Sequence, residues 1–439
     1  MMNEHGQSDS GIVPKKSPNA PPQGSAEGME GRPLVKGNAS NIAMYRTQSR
    51  ESMTATLERI RQYVEKEPSS KLTALYHHVY EVEHLRTAYW QINRHAAAGI
   101  DGQTWKQYGQ ELEINLENLS KRLQRGAYRA TPVRRVYIPK ADGRQRPLGV
   151  TALEDKLVQY VTAQIFSTIW EEEFLGFSYG FRPKRSAHDA LDALTVGIER
   201  KGVRWVLDAD IKGFYDTISQ EWMVKFLEHR IGDKRIINLV KKWMKAGVMD
   251  AGKWQESEEG VPQGGLISPV LANIYLHYTL DQWVQQWRKR QARGAVIIVR
   301  YADDFVIGFQ NGWEAERFQR ELAERLKKFN LVLQTEKTRL IEFGRYAENN
   351  RAERGLGKPE TFNFLGFTHI CSWNTRNMFT VRRHTMRKRM QAKLKEVTKE
   401  LKRRRHDPIP EQGQWLRQVL LGHYQYYGVP LNSRQMSNF

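Results

Sequence analysis

Two pairs of aspartates have the spacing and surroundings of a site for divalent cations. Asp303 and Asp304 are adjacent in a polar turn between the apolar segments AVIIV and FVIGF. These segments predict a buried hairpin that presents both carboxylates at its tip. The apolar segment RWVLDADI carries Asp208 and Asp210, which share one face because side chains alternate along a strand.

Such a cluster predicts metal-assisted phosphoryl chemistry. Carboxylates brought close together repel one another, and one takes up a proton unless a cation is present. Hard divalent cations with oxygen ligands relieve the repulsion, and Mg²⁺ is the usual ion where phosphates also bind. Two such ions about 3.5–4 Å apart can activate a hydroxyl and stabilise the leaving oxygen of an in-line displacement. A lone Asp-Asp turn is more often ordinary turn chemistry, so the interpretation depends on accompanying motifs.

The overall charge predicts a polyanionic partner. The 439 residues include 69 Lys or Arg against 49 Asp or Glu, a net charge of +20. Hydrophobic residues make up 40%, which indicates a globular chain of about two to four domains. The single cysteine, Cys371, excludes a disulfide framework and a cysteine-rich zinc module. It favours a cytoplasmic, nucleoid-associated protein, and without an apolar run of about 20 residues we expect no membrane span.

The elements that must position the aspartates alternate along the chain. Residues 1–50, rich in Gly, Pro, Ser and Asn, predict a disordered tail. From Thr54 onward, amphipathic helices are interspersed with short strands, which favours an α+β fold over a doubly wound parallel sheet. RRVYIPK and QRPLGV, joined by ADGR, predict a second hairpin. VLANIYLHYTLDQWVQQWRKRQ predicts a long helix, and residues 361–383 predict short strands.

Seven sequence blocks in series resemble those of bacterial group II intron reverse transcriptases, the intron-encoded maturases. The blocks are RVYIPKADGRQRPLGV, FSYGFRPKRSAHDAL, LDADIKGFYDTI, GVPQGGLISPVLANIYL, VRYADDFVIGF, EKTRLIEF and FNFLGF. The order and spacing are far more specific than any one block. The resemblance implies a right-hand polymerase, with fingers and palm at 51–370. A thumb and the beginning of a truncated maturase region would occupy 371–439.

The similarity implies which carboxylates are catalytic. Asp210, Asp303 and Asp304 would hold two Mg²⁺ ions, and the backbone carbonyl of Ile211 would be a further metal ligand. Asp208 is the competing candidate on the same strand. Asp210 is preferred because it stands at the motif position, five residues before an aromatic.

The resemblance also implies a nucleotide-binding set. Its members are Lys140, Arg146, Tyr215, Gln263, Gly264 and Lys337. Tyr215 resembles the steric gate that excludes a 2′-hydroxyl, although Phe is commoner there. Lys140 and Arg146 flank the hairpin turn and would grip the triphosphate, with Arg144 as a rival. Lys337 would donate a proton to the departing pyrophosphate, or be a solvated lysine.

A nucleic-acid-binding set is predicted in the same way. It comprises Arg182, Leu365, Gly366, Phe367, Arg382, Arg383, Arg387 and Lys388. Leu365-Gly366-Phe367 resembles the primer grip, and Arg182 would contact either the template or its own loop. From Arg382 to Arg405, twelve Lys or Arg stand against two Glu, above a helically spaced apolar stripe. This pattern predicts a thumb helix along a duplex backbone.

The combined prediction is an RNA-directed DNA polymerase of a group II intron that also aids splicing. It would copy intron RNA from a DNA primer or target, using dNTPs. The alternatives are an RNA-binding splicing cofactor with a vestigial polymerase and a host-adapted defence reverse transcriptase. Family members continue beyond the position of Phe439, so we expect an incomplete maturase region and no endonuclease module. Tyr424, Tyr426 and Tyr427 are predicted to be core rather than RNA-stacking residues.

Overall fold

A computed structural model describes residues 38–139 and 145–439, which form helical layers around three sheets. The helices are α1 (Asn38–Lys66), α2 (Tyr76–Tyr80), α3 (Val82–Gln91), α4 (Trp105–Tyr108), α5 (Leu112–Gln124), α6 (Leu153–Glu171), α7 (Ala187–Arg200), α8 (Phe214–Thr217), α9 (Gln220–Arg230), α10 (Lys234–Lys245), α11 (Ser268–Leu276), α12 (Gln282–Arg290), α13 (Gly312–Lys327), α14 (Ala347–Glu353), α15 (Arg387–Arg403), α16 (Ile409–Tyr427) and α17 (Ser433–Ser437). No helix within these residues is both long and apolar enough to cross a bilayer.

The strands confirm the α+β prediction, since the sheets are almost entirely antiparallel. They are β1 (Val133–Pro139), β2 (Gln145–Val150), β3 (Trp205–Ala209), β4 (Val248–Asp250), β5 (Lys253–Gln255), β6 (Val296–Tyr301), β7 (Asp304–Phe309), β8 (Arg339–Glu342), β9 (Phe362–Phe364), β10 (Phe367–Trp373) and β11 (Phe379–Thr385). The sheet orders are β2-β1-β4-β5, β6-β7-β3-β8 and β11-β10-β9. Only β1 and β4 pair in parallel within these sheets of the described chain.

The central sheet, β6-β7-β3-β8, positions the aspartates. Its strands are apolar at nearly every position because both faces are covered. Leu207 and Ile298 belong to a large core formed with the N-terminal helices and with α9–α13. Val206 and Ile297 belong to a second core, formed with α7 and the C-terminal sheet. The predicted β6–β7 hairpin is confirmed, with Val296 opposite Phe309.

Helix α1 begins earlier than the sequence predicts. The expected disordered tail is wrong for residues 38–50, which are helical, while residues 1–37 lie outside the described residues. After Gly37 nothing in this segment breaks a helix, and Ser49 is buried and hydrogen-bonded to the carboxylate of Glu83. A tertiary contact with α3 therefore supports a segment whose polar composition indicated disorder.

Two further elements depart in detail from the predictions. The long helix predicted after the VPQGG loop is present as α11 and α12, joined by a π-helical segment, His277–Asp281. The predicted ADGR hairpin is confirmed by the pairing of β1 with β2, and its turn, residues 140–144, lies outside the described residues. The strands β4 and β5, which extend this hairpin into a sheet, were not predicted.

The C-terminal sheet confirms the short strands predicted for 361–383. The predicted domain boundary at 370 falls inside β10, whose pairing with β11 runs from Phe367–Thr385 to Trp373–Phe379. Residues 371–385 therefore belong to this sheet, and the helical C-terminal part starts at α15. Helices α15 and α16 are largely exposed, with Met390 and His423 as their buried residues.

Candidate active site

The tip of the β6–β7 hairpin carries Asp303 and Asp304. Tyr301 pairs with Asp304, which leaves Ala302 and Asp303 as a two-residue turn. Ala302 has a φ of 58°, the left-handed conformation that tight hairpin turns require. Gly180 lies against this turn, and a Cβ there would be 2.4 Å from the Ala302 nitrogen. The backbone therefore fixes the direction of both carboxylates.

Arg300 holds this turn from inside the protein. Its fully buried guanidinium forms a bidentate ion pair with Asp281, with an Nε–Oδ1 distance of 2.7 Å. Nη1 also donates to the Ala302 carbonyl and to Asn273 Oδ1, each at 2.9 Å. An arginine in an apolar strand needs such partners, and here they tie the turn to the α11–α12 helix.

The second pair of aspartates, in and directly after β3, lies beside the first pair. Ala209 pairs with Phe305, so extending the register by one residue places Asp210 opposite Asp304. Asp208 lies two residues back on the same strand face. All four aspartates line one cleft of about 1130 Å³. The cluster that the sequence predicted is thus brought together at one end of the central sheet.

Burial and mutual repulsion perturb these acids. Burial, and then the charges of the other three aspartates, raise the pKa of Asp304 to about 7, against a lowering by Arg389. Burial and the charge of Asp210 raise the pKa of Asp303. Burial also raises the pKa of Asp208. Low-dielectric surroundings and like charges both disfavour the ionised carboxylate.

Two of the four carboxylates form ion pairs with cationic side chains. Asp210 forms an ion pair with the Lys337 ammonium, and Asp208 lies 3.3 Å from the Arg339 guanidinium. Within the described residues, no three of the aspartates bring their carboxylate oxygens within 4.8 Å of one another. The Lys337 ammonium contacts one oxygen of the Asp210 carboxylate, Oδ2.

The donor set fits hard divalent cations. Every candidate ligand is an oxygen, as Mg²⁺ prefers. Two of the acids have pKa values raised by burial and by negative neighbours, and a cation would relieve that penalty. Ile211 lies next to Asp210 in an isolated bridge with Leu333. The hydrogen bonds of this bridge use Lys212 N and the Asp210 carbonyl, not the Ile211 carbonyl.

Two predicted nucleotide-binding residues face the carboxylates. Arg146, on β2, lines the same cleft, and its charge lowers the pKa of Asp303. Tyr215 is half-buried in the cleft, where burial, followed by the charge of Asp303, raises its pKa to about 12. Its hydroxyl is therefore neutral at physiological pH. Lys140 and its rival Arg144 lie outside the described residues.

The loop that carries Gln263 and Gly264 joins the hairpin to the central sheet. The Gln263 carbonyl accepts from Gly149 N of β2 at 2.6 Å. Gly264 has a φ of +118°, and a Cβ there would lie 2.4 Å from the Gly149 carbonyl oxygen. Glycine is required here for both reasons. Both loop residues line the cleft, in contact range of anything bound there.

The proposed primer-grip segment turns at the edge of the cleft. Leu365 and Gly366 have positive φ values and connect β9 to β10. Leu365 lines the cleft. Phe367 does not reach it, because its fully buried ring packs against Tyr426 and Tyr427. As predicted, Tyr426 and Tyr427 pack against the second core, where they are partly buried. The same prediction is wrong for Tyr424, which is 43% exposed.

Two arginines predicted to bind nucleic acid serve other roles. Arg182 is buried and donates to Glu171 and to the carbonyls of Leu175 and Ser178, so it fastens its own loop. Arg383 is buried and pairs with Asp192 at 2.8 Å. Neither guanidinium is available to a phosphate backbone. The alternative that Arg182 contacts its own loop is therefore the one observed, and the nucleic-acid assignment of Arg383 is wrong.

The other basic candidates lie on the surface of the C-terminal region. Arg387 and Lys388 are exposed at the start of α15, whereas Arg382 is half-buried in β11. Sequence reasoning missed Arg389, which lines the cleft and acts on Asp304. Arg389 is exposed on the same turn of α15 as Arg387 and Lys388, and no pattern in the sequence distinguishes it from them.

Comparisons with known proteins give one family model and several relatives of this chain. A family model described as reverse transcriptase (RNA-dependent DNA polymerase) matches residues 138–369. The chain is 38% identical over 238 residues to Protein YkfC of Escherichia coli (strain K12), covering 48% of this chain and 62% of that protein. It is 35% identical over 237 residues to the group II intron-encoded protein LtrA of Lactococcus lactis subsp. cremoris, covering 54% and 39%. The chain thus spans less than two thirds of each relative.

Among solved structures, apo telomerase from Candida tropicalis, truncated from its C-terminal domain, is a distant match. Its TM-score is 0.42 at 16% sequence identity, and the match covers 58% of this chain and 55% of that one.

Proposed function

Since this chain belongs to the reverse transcriptase (RNA-dependent DNA polymerase) family, we propose that it copies the RNA of a group II intron into DNA. The observation that carries the proposal is the aspartate cluster at the end of the central sheet, in a cleft whose rim is basic. The relatives named for group II introns support the choice of template.

The carboxylates of Asp210, Asp303 and Asp304 would hold two Mg²⁺ ions. When bound, these ions supply Lewis-acid activation of the primer 3′-hydroxyl and charge stabilisation at the leaving pyrophosphate. The buried hairpin turn, fixed by Arg300, gives the two adjacent acids a constant geometry. Lys337 forms an ion pair with Asp210; with a cation held at Asp210, its ammonium would be available to donate a proton to the pyrophosphate.

The remaining cleft residues position the nucleotide. Arg146 approaches from β2 and is suited to a bidentate phosphate contact, with Lys140 proposed beside it. The Tyr215 ring lies beside Asp303 and would leave no space for a 2′-hydroxyl on the sugar. Gln263 and Gly264 present backbone rather than bulk, so a nucleotide can lie close to the loop.

The alternative of a splicing cofactor with a vestigial polymerase is less well supported. A vestigial site would be free to lose its acids, its tight turn or the glycine that the loop requires. All are present in one cleft. A role in splicing in addition to copying remains part of the proposal, through the exposed basic surface of α15.

Primer extension tests the proposal. The full chain is given an intron RNA template, an annealed DNA primer, dNTPs and Mg²⁺, and the product is resolved by length. We expect extended DNA, and no extension after Asp303→Ala with Asp304→Ala. Asp101→Asn, an exposed aspartate outside the cleft, is the matched control and should extend normally. A salt-sensitive RNA complex without any nucleotide incorporation would support the splicing cofactor instead.

A further inference from the structure

A second cluster of ligand-bearing side chains lies where helices α2 and α3 meet. His78, Glu81 and His84 each offer one ligand atom, and these atoms all lie within 4.8 Å of one another. Glu81 joins the two helices in an extended conformation, with φ −61° and ψ 124°. The bend brings three residues, spaced three apart in sequence, to one point. None of them lines the aspartate cleft.

The hydrogen bonding of His84 leaves one ring nitrogen ready to bind a cation. Nδ1 lies 2.8 Å from the His78 carbonyl oxygen. A carbonyl can only accept, so Nδ1 carries the hydrogen, and in the neutral ring Nε2 carries a lone pair. The side chain is fully buried, and Nε2 has no hydrogen-bond partner. A backbone carbonyl fixing the tautomer is the usual arrangement behind a metal-bound histidine.

The distance between His84 and Glu81 favours a cation over a proton between these two groups, while the distance from His78 to Glu81 is longer than either case requires. His84 Nε2 lies 3.5 Å from Glu81 Oε2, and His78 Nδ1 lies 3.9 Å from the same oxygen. A charged imidazolium would approach a carboxylate to about 2.7–2.9 Å. Ligand atoms around a tetrahedral Zn²⁺ with bonds of about 2.0–2.1 Å lie roughly 3.3–3.5 Å apart. The His84–Glu81 distance matches the second case.

We propose that His78, Glu81 and His84 form a zinc site that is separate from the catalytic aspartates. Two imidazole nitrogens and one carboxylate suit Zn²⁺ better than Mg²⁺, which requires oxygen ligands. His78 Nδ1 and His84 Nε2 are both buried and without a hydrogen-bond partner, whereas the Glu81 side chain is 42% exposed. The site is therefore open to solvent on the side of Glu81, where a water can complete the coordination. The proposal is independent of polymerase activity.

The location of the site indicates a structural role. The start of α2 is fastened to the polymerase body, because the Asp233 carboxylate accepts from Leu75 N and Tyr76 N at 3.2 and 3.0 Å. Helix α3 packs along α1 and α6. A bound ion would fix the angle between α2 and α3 and so couple the N-terminal helices to that body. Stability, not catalysis, should therefore respond to zinc.

The positive charge of a neighbouring arginine would weaken the binding of a cation at this cluster. Arg59 of α1 repels positive charge at His78, and its guanidinium is held by the Thr56 hydroxyl at 3.2 Å. Removal of this charge should strengthen zinc binding. Arg59→Gln is therefore a variant with the opposite expected sign, which a general loss of folding could not produce.

Zinc titration tests the site in the full chain. The protein carries Asp303→Ala and Asp304→Ala so that the catalytic acids do not contribute. Zn²⁺ alone is added in competition with a chromophoric chelator, and melting is measured with and without Zn²⁺. We expect one Zn²⁺ per chain, a zinc-dependent rise in Tm, and an affinity lowered at least about 100-fold by His78→Gln or Glu81→Gln. Arg59→Gln should bind more tightly.

The controls separate the site from adventitious binding. His77, whose exposed ring stacks on His78 at 3.7 Å, is not among the ligands, and His77→Gln should bind zinc as the parent does. His78 and Glu81 are partly exposed, so their variants should fold even if one at the buried His84 does not. The proposal is overturned if the parent chain binds no Zn²⁺. It is also overturned if His78→Gln and Glu81→Gln both retain the parent affinity.

Discussion

Burial and the negative charges of its neighbours both disfavour ionisation of the Asp304 carboxyl group. Three other aspartates surround it, and its pKa is raised to about 7. Its carboxyl group is therefore half-protonated near neutral pH when no divalent cation is bound. A cation must displace that proton, so binding of Mg²⁺ should weaken as the pH falls below 7.

Without a bound metal ion, the ionised Asp304 carboxylate lowers the stability of the folded chain. The folded chain binds the Asp304 proton more tightly than the unfolded chain, so this group lowers stability as the pH rises from about 4 to about 7. In EDTA at pH 8, Asp304→Asn should be more stable than the parent by roughly 2–4 kcal/mol. The gain should shrink toward pH 4. Urea unfolding at the two pH values measures it, and a less stable variant at pH 8 would contradict this account.

At the scale of elements, the β6–β7 hairpin depends on its helix neighbour. Arg300 connects the turn at Ala302 to Asp281, which lies in the π-helical segment between α11 and α12. Both charged side chains are fully buried. The turn that carries Asp303 is thus held in place by a buried ion pair.

Removal of one partner should cost more than removal of both. Arg300→Met leaves the Asp281 carboxylate buried and uncompensated, and we expect a loss of about 3–5 kcal/mol in the free energy of unfolding. Arg300→Met combined with Asp281→Leu should recover part of this loss. Chemical denaturation of the four proteins in the cycle gives the coupling energy. Additive losses would mean that the pair is not coupled.

The loop at Gly264 can be tested with a matched glycine. Gly264→Ala forces a Cβ onto the Gly149 carbonyl of β2 at a positive φ, so the loop and the hairpin must separate. Gly252 also has a positive φ, but open space surrounds it. Gly252→Ala should cost only about 1 kcal/mol and leave primer extension intact. Gly264→Ala should lose most extension while remaining folded, and equal activity in the two variants would argue against the close approach.

An element could be predicted from the sequence when its own residues determine it, and not when it depends on pairing with a distant segment. The β1–β2 hairpin follows from alternating residues around a turn, and the β6–β7 hairpin from two continuous apolar segments around a polar turn; the sequence predicted both. Strand β4 exists because β1 is available to pair with it, and no pattern within VMD shows that. The predicted boundary at 370 falls inside β10, because the pairing of β10 with β11 extends the sheet to Thr385 and no sequence block marks that pairing.

The whole molecule combines an acidic centre with a basic surround. The chain carries a net charge of +20, and four of its aspartates meet in one cleft. Arg387 and Lys388 are exposed on α15 beside Arg389, which reaches that cleft. A nucleic-acid duplex held by α15 would therefore have its end near the aspartates.

Salt dependence tests this arrangement. Arg387→Gln with Lys388→Gln should weaken primer–template binding and reduce the slope of log K against log salt by about 2, one for each phosphate contact. Arg320→Gln is the control, since Arg320 is exposed on α13, which packs on the opposite face of the central sheet. Filter binding from low to moderate salt gives the slopes. An unchanged slope in the α15 variant would place the duplex elsewhere.

The sequence identified the cleft aspartates but not the residues that stabilise the surrounding fold. Asp210, Asp303 and Asp304 carry motif signatures, and the structure brings them to one cleft. Arg182 and Arg383 have the same residue type as a phosphate contact, and only their burial shows that they hold the fold together. A sequence shows that a residue is charged, but it does not show whether that side chain is buried or exposed.

Single-turnover addition of one dNTP to a bound primer on RNA tests the central claim most directly. It is measured for Asp208→Asn, Asp210→Asn, Asp303→Asn and Asp304→Asn at saturating Mg²⁺. We predict that the last three lose at least about 1000-fold in rate while primer–template affinity holds, because each loses transition-state charge stabilisation worth several kcal/mol. Asp208→Asn, paired with Arg339, should lose far less. A rate for Asp303→Asn within about tenfold of the parent would contradict the metal centre proposed for this cleft.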